Sequence, residues 1–331
     1  MIDKSRSVPA EMPTTHGGRI DLAALRFPQA RQSWIDLSTG INPHRWDPRG
    51  VDIDWARLPD VTALAALEAA AHAAFGMTSG AVAALPGTEI GLRLLRDVGL
   101  PAPACHVVPS YSTHAAALPD SLPIALDGIG PDGTILLANP NNPDGRIIAP
   151  DRLLDMARGR SGWLIVDEAF ADVDPAVSVL PHLGEDDPVL VFRSFGKFFG
   201  LAGLRLGFVC GPPAMIARFR ERLGSWPVSS AAIAIGTAAY RDTDWIAGTR
   251  ATLTASADRL DALFQSNGFH PHGGCPLFRL VEHDAAPALF ERLAAAGILT
   301  RPFDHDPRWL RFGLPGDELA WTRLAEALRH G

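Results

Sequence analysis

The chain has 331 residues, 47% of them hydrophobic and 20% charged, with a formal net charge of -7. That length buries a large core in one body or two lobes, and the acidic balance argues against nucleic acid or an anionic membrane as partner. It leaves room for a small anionic ligand, because a few arginines make a local pocket. Met1-Ile2-Asp3-Lys4-Ser5-Arg6 contains no apolar core of a signal peptide, and the apolar stretches are broken by Arg, Asp, Gly or Pro well before bilayer length. Cys105, Cys210 and Cys275 are odd in number and widely spaced, which fits neither a disulfide framework nor a zinc site and predicts buried reduced thiols. The expectation is a cytoplasmic protein with no metal.

Residues 1–50 are polar and turn-rich, with His16-Gly17-Gly18 and Ser38-Thr39-Gly40-Ile41-Asn42-Pro43 as their sharpest features. From Val61, the spacing of Leu64, Leu67, Ala71 and Phe75 predicts a helix. Pro86-Gly87-Thr88-Glu89 opens a second helical pattern through Ile90, Leu92, Leu94 and Leu95, with Thr88 as N-cap or in the first turn. Three short apolar runs then each end in polar residues. Residues 134–138 lead into Asn139-Pro140-Asn141-Asn142-Pro143-Asp144-Gly145, residues 163–166 into Asp167-Glu168-Ala169-Phe170, and residues 189–192 into Arg193 and a lysine segment. Helical stretches between the first two predict parallel α/β units. In such a sheet, polar residues just beyond the strand C-termini collect on one edge, so Asn142, Asp167 and Lys197 converge from separate strands. Residues 206–210 are a further strand. Beyond about residue 213 the pattern is mainly helical, including 245–264, and a mixed region follows around 277–280 and 309–312. The expected organisation is an N-terminal segment over 1–50, a large α/β domain with a mostly parallel central sheet flanked by helices over 51–212, and an interdomain helix with a smaller α+β domain over 213–331.

Lysine is rare here: Lys4 and Lys197 are the only two, so 28 of the 30 lysines and arginines are arginine. Arg193-Ser194-Phe195-Gly196-Lys197-Phe198-Phe199-Gly200 keeps an amine where the rest of the chain uses guanidinium. An amine can lose its proton and attack a carbonyl, whereas a guanidinium stays charged. Lys4 lies in a polar leader and asks for no such explanation. A nucleophilic lysine, an aspartate and an arginine make sense together around pyridoxal phosphate. Its aldehyde needs an amine, Lys197, and its ring nitrogen holds a proton better beside a carboxylate, Asp167. Its phosphate needs backbone N–H groups, hydroxyls and a guanidinium, for which Gly87, Thr88, Ser194 and Arg205 are the candidates. Tyr111 can stack on the ring and Asn142 can hydrogen-bond its hydroxyl. Taken singly, these residues have plainer roles: Asp167 or Thr88 as a cap, Asn142 in a turn, Tyr111 in packing, Arg205 in an ion pair. A nucleotide phosphate loop is excluded because Gly196-Lys197 is followed by Phe198 and not by Ser or Thr, and the dinucleotide fingerprint is missing near the N-terminus.

The ordered set of Pro86 to Glu89, Pro109-Ser110-Tyr111, Asn139 to Gly145, Asp167 to Phe170, and Ser194 through Lys197 to Gly203-Leu204-Arg205-Leu206-Gly207 resembles the fold-type-I pyridoxal-phosphate enzymes. It is most similar to the branch that holds histidinol-phosphate aminotransferase and threonine-phosphate decarboxylase, and the likeness extends to Arg311. His16-Gly17-Gly18, Asp36 to Pro43, Asp167 to Asp172, Trp226-Pro227-Val228-Ser229 and Gly273 to Leu280 resemble the threonine-phosphate decarboxylases of cobalamin synthesis. The resemblance implies a homodimer with active sites near the subunit interface and a small phosphorylated amino acid as substrate. It also implies that His16 binds the substrate phosphate while Asn42 and Arg311 place the amino-acid end. Arg301 is a further candidate for an anionic group, and Asn142 is shared between cofactor and substrate. Two positions depart from the pattern. Phe170 stands where related aminotransferases carry a tyrosine whose hydroxyl meets the cofactor ring oxygen, which fits the decarboxylase side. Leu58, before Pro59, stands where many relatives carry a tyrosine that reaches the neighbouring subunit's cofactor phosphate.

The reaction so implied is decarboxylation of O-phospho-L-threonine to (R)-1-aminopropan-2-yl phosphate and carbon dioxide. The alternative is an aminotransferase acting on histidinol phosphate or a related amino acid, and the choice depends on which Cα bond stands perpendicular to the cofactor ring. A non-catalytic binder on the same fold is the third reading, disfavoured by the intact lysine and the complete set of ring and phosphate residues.

Overall fold

The computed structural model describes residues 16–30 and 33–329; Lys4 and the leader through residue 15 lie outside the described residues. The chain divides into two compact units, one formed by the described residues of Met1–Pro43 and Thr254–Gly331, the other by His44–Leu253. The division falls within the helix Thr243–Ser266, so the helices Pro213–Leu223 and Ser230–Arg241 belong to the same unit as the large sheet.

In that unit seven strands lie in the order Ala81–Leu85, Gly207–Gly211, Val189–Ser194, Leu164–Asp167, Thr134–Ala138, Ala104–Val107, Leu122–Ile124. Gly207–Gly211 runs antiparallel to both its neighbours, and the other pairs are parallel. This is the mostly parallel sheet that the sequence predicts. Strands buried on both faces need no polar alternation, and Leu136, Ile165, Leu190 and Phe192 are all fully buried. They share a core cluster with Leu92, Leu95, Ile216 and Phe219. At the front of the unit, Asp60 caps the helix Val61–Ala74 by accepting from the N–H groups of Thr62 (2.7 Å) and Ala63 (3.3 Å). Thr88 is the first residue of the helix Thr88–Leu94, and Gly87 takes the cap position with φ 91°.

The register sets the functional edge. Asp167 lies opposite Ala138 on one side and Phe192 on the other, while Ser194 and Leu85 both lie opposite Gly207. The segments after Leu85, Ala138, Asp167 and Ser194 therefore leave the sheet at one edge, and Arg205 enters the sheet there.

Just below that edge, Arg193 is buried between two carboxylates. Its Nη1 donates to Glu168 Oε2 at 3.0 Å and to Ser178 Oγ at 3.2 Å, and its Nη2 donates to Asp172 Oδ1. Burial by itself would lower the guanidinium pKa, but Asp172 and Glu168 outweigh it and hold Arg193 above the usual range. Glu168 also accepts from Ser178 Oγ at 2.6 Å and from Val179 N at 2.8 Å.

The other unit is α+β. Its four-stranded antiparallel sheet runs Arg301–Pro302, Trp309–Gly313, Phe278–Glu282, Pro271–Cys275, and Ile35–Asp36 pairs in parallel with Ile298–Leu299. The helices Ile20–Arg26, Ala286–Ala295 and Glu318–Arg329 complete it. No helix among the described residues is long and apolar enough to cross a membrane.

Replacing Arg193 by Met strands two buried carboxylates. We expect a loss of about 3–5 kcal/mol in urea unfolding, whereas a loss below about 1 kcal/mol would mean that the cluster is dispensable.

Candidate active site

Lys197 lies in the short helix Phe195–Phe198, which follows directly on the strand ending at Ser194. Aromatic rings pin this turn. Phe195 stacks on Phe199 at 4.4 Å, Phe199 stacks on Trp245 at 5.5 Å, and Tyr240 meets Phe195 and Phe199 edge-on at 5.5 and 5.1 Å. A Cβ at Gly196 would fall 2.7 Å from Ala202 Cα, so the two backbone segments pack as only glycine allows. Phe195, Gly196 and Phe198 are buried, leaving Lys197 as the half-exposed member of the turn. Its Nζ sits 5.7 Å from the Phe170 ring centroid, an apolar neighbour that offers no hydroxyl.

Asp167 is 6% exposed. Its Oδ1 accepts from Ala169 N at 3.1 Å, and its Oδ2 meets His114 Nε2 at 3.1 Å. His114 is fully buried, and its Nδ1 has no hydrogen-bond partner among the described residues. The ring proton therefore belongs on Nε2, donated to the carboxylate. So held, Asp167 keeps lone pairs for one further donor. Sequence reasoning passed over His114; the available signal is its place three residues after Tyr111, close to one helical turn away, and the two rings meet edge-on at 5.9 Å.

Tyr111 is anchored through its hydroxyl, which donates to Glu89 Oε2 at 3.0 Å; the same oxygen accepts from Thr113 Oγ1 at 2.8 Å. Arg93 Nε donates to Glu89 Oε1 at 2.7 Å. Burial raises the Glu89 pKa, but the bonds from Thr113, Arg93 and Tyr111 outweigh it and hold the carboxyl below its usual range. Burial, reinforced by the Glu89 charge, pushes Tyr111 up to about 12. In the asparagine-rich segment, Asn139 bonds Ile148 and Val177 backbone groups, and Asn141 bonds Pro109 O and Asp144. Those two side chains shape the loop, and Asn142, next in line, is half-buried.

The remaining cofactor candidates meet beside Gly207. A Cβ at Gly207 would lie 2.7 Å from Thr88 N, and a Cβ at Gly87 would lie 2.6 Å from Arg205 Nη2. Any side chain at position 87 would fill the place of the guanidinium. Arg205 is exposed, and its Nη1 donates to Ala202 O at 3.2 Å. Backbone N–H groups, the hydroxyls of Thr88 and Ser194 and one guanidinium are the donor set that a phosphate requires. With an amine and a buried, oriented carboxylate on the same edge, these residues fit a ring bearing an aldehyde, a basic nitrogen and a phosphate.

In the α+β unit, Arg301 and Arg311 are register partners on neighbouring strands, 8% and 3% exposed. Their guanidiniums lie 5.1 Å from the Phe303 centroid and 5.0 Å from the Phe278 centroid, and Arg311 Nη2 donates to Ser38 O at 2.9 Å. Burial, then the charge of Arg301, lowers Arg311 to about 9, against opposition from Cys275 and Asp36. Asn42 is buried and His16 is exposed. Among the described residues no group of three or more His, Cys, Asp or Glu is placed to hold a metal ion.

Lys197 follows the end of one strand and Asp167 ends the adjacent parallel strand. Residues 117–328 match the family of class I and II aminotransferases, and the chain belongs to it. Within it, the chain is 42% identical over 333 residues to a threonine-phosphate decarboxylase of a Sinorhizobium species, covering 96% of this chain and 98% of the relative. It is 37% identical to the threonine-phosphate decarboxylase of Pseudomonas aeruginosa, covering 95% and 96% of the two chains. The histidinol-phosphate aminotransferase of Sinorhizobium meliloti, solved in complex with pyridoxal-5'-phosphate, shares the fold at a TM-score of 0.79 with 19% identity, covering 100% of this chain and 98% of its own.

Tyr111 and Tyr240 are the only tyrosines, and burial raises both, Tyr111 to about 12 and Tyr240 well above the ordinary value. A folded pKa above the unfolded one leaves stability intact below about pH 10 and erodes it as pH rises further. Titration followed at 295 nm should show no phenolate in native protein at pH 10.5 and two titrating groups near pH 10 in denaturant. A native phenolate signal at pH 10 would contradict the Glu89 anchor.

Proposed function

We propose that the chain is a pyridoxal-phosphate-dependent carboxy-lyase that converts O-phospho-L-threonine to (R)-1-aminopropan-2-yl phosphate and carbon dioxide. Its setting is the synthesis of the cobalamin aminopropanol side chain, in the cytoplasm, as a homodimer. The observation that carries this reading is the near full-length identity of 42% and 37% to two threonine-phosphate decarboxylases. Phe170 beside the lysine, where a tyrosine hydroxyl serves related aminotransferases, agrees with it.

Bound pyridoxal phosphate supplies an aldehyde that condenses with amines and a protonated ring that accepts the electron pair left when a bond to the substrate Cα breaks. Lys197 would hold the cofactor through its amine and, when free, would hold the proton destined for the substrate carbon. Asp167, oriented by His114, keeps a proton on the ring nitrogen. Gly87, Thr88, Ser194 and Arg205 bind the cofactor phosphate. Tyr111 would pack on the ring, Asn142 would bond its hydroxyl, and Phe170 would pack without a hydrogen bond. On the substrate, Arg311 and Asn42 orient the amino-acid end, His16 takes the phosphate, and Arg301 and Asn142 supply further contacts. In this reading Arg311 and Asn42 would decide, by how they hold the amino-acid end, that the bond to the carboxylate is the one that breaks.

The homodimer is supported by the apolar surface around Leu58, where Trp55, Leu58 and Val61 are 79%, 66% and 79% exposed. Beside them a cavity of about 450 Å³ opens between the helices Val61–Ala74 and Ser230–Arg241, floored by Ala63, Ala66, Ile233 and Ala238. Apolar surface gathered in this way marks a protein contact.

Enzyme loaded with pyridoxal phosphate and given O-phospho-L-threonine without a keto acid should accumulate the phosphorylated amine, read by mass spectrometry. Lys197→Ala should lower the rate about a thousandfold, and Phe170→Tyr should leave it within about tenfold. Formation of a keto acid that stops at one equivalent would make the chain an aminotransferase.

A further inference from the structure

Ser38 joins two residues that the proposed reaction uses. It is 2% exposed. Its backbone N and its Oγ both donate to Asp36 Oδ1, at 2.9 and 2.6 Å. An ionised carboxylate only accepts, so the hydroxyl proton is committed to Asp36 and the oxygen lone pairs remain for a donor. That donor is Gly18 N, 2.7 Å away. On its other side, the carbonyl of the same residue accepts from Arg311 Nη2 at 2.9 Å. One buried serine thus holds Arg311 by its carbonyl and the N-terminal segment by its hydroxyl.

The surrounding glycines leave little slack. A Cβ at Gly17 would collide with the Ser38 carbonyl oxygen, and a Cβ at Gly313, two residues after Arg311, would collide with Thr39 O. Gly313 N donates to Leu37 O at 2.6 Å, and Leu37 N donates to Leu299 O at 2.8 Å, so the turn is tied to two neighbouring segments. Gly18 has φ 79°, a conformation that favours glycine. His16 is the residue immediately before this clasp.

We propose that Ser38 is a positioning residue that sets His16 and Arg311 at a fixed spacing, matched to a small amino acid that carries a phosphate at its far end. This rests on the reading of His16 and Arg311 as ligands for the substrate phosphate and amino-acid end. Ser38 acts through them, so its loss weakens substrate capture while the chemistry at Lys197 continues.

Hydrogen exchange by mass spectrometry on the holoenzyme, followed over residues 16–24, reads the clasp whatever the reaction is. In Ser38→Ala, the Gly18 amide should exchange at least about tenfold faster, KM for O-phospho-L-threonine should rise about tenfold, and kcat should stay within about threefold. Gly17→Ala keeps the serine but drives a methyl into its carbonyl, and should show the same pattern. Unchanged exchange in Ser38→Ala overturns the clasp, and faster exchange with an unchanged KM overturns its positioning role. If wild-type enzyme fails to turn over O-phospho-L-threonine, the proposed reaction falls and inorganic phosphate judges the clasp: phosphate should slow Gly18 exchange in wild type and not in Ser38→Ala. No slowing in wild type would overturn the inference.

Discussion

The buried guanidinium of Arg193 is the interaction on which the catalytic edge depends. It stands four residues before Lys197, and of its carboxylate partners Glu168 follows directly on Asp167 and Asp172 lies five residues after it. The same ion cluster therefore fixes the strand that leads to the amine and the segment that leaves the ring carboxylate. A guanidinium suits this place because it stays charged when buried, and its fork reaches two carboxylates and a serine at once. A lysine here would offer a single point charge and no planar fork to span both carboxylates. The composition of the chain agrees: its buried ion cluster uses arginine, and one of its only two lysines stands at the catalytic edge.

Each unit carries its own set of polar groups. The α/β unit presents an amine, an oriented carboxylate and a cluster of N–H, hydroxyl and guanidinium donors on one edge of a mostly parallel sheet, where strand C-termini gather. The α+β unit presents paired buried arginines and the turn at Ser38. There, burial and the adjacent Arg301 hold Arg311 below the usual guanidinium range. Neither set needs a flexible surface loop for its central groups. Lys197 is braced by stacked aromatic rings, Asp167 by His114, and Arg311 by a backbone carbonyl.

How much of this was legible in the sequence follows from how local each feature is. The three central strands read clearly because burial on both faces leaves unbroken apolar runs, and Lys197 stood out against an arginine-rich background. Asp167, Lys197 and Asn142 could be read as lying just beyond strand ends. The strands Ile35–Asp36, Arg301–Pro302 and Pro271–Cys275 carried no readable period, being two residues long or built from proline, histidine and glycine. His114, Arg193 and Ser38 were silent for a different reason. Their roles lie in contacts with residues far away in sequence, His114 with a carboxylate 53 residues on and Ser38 with a guanidinium 273 residues on. Nothing local in a histidine on a short helix or a serine in a turn announces such a partner.

The central claim is that the bond from Cα to the carboxylate breaks and that Cα is then protonated. Turnover of O-phospho-L-threonine in heavy water by the loaded enzyme tests it most directly. The account predicts more than one equivalent of 1-aminopropan-2-yl phosphate per subunit, each carrying a single deuterium on the carbon that lost the carboxylate, with no keto acid. Deuterium appearing at Cα of recovered O-phospho-L-threonine, together with a keto acid and no carbon dioxide, would contradict it and place the chemistry at the Cα–H bond.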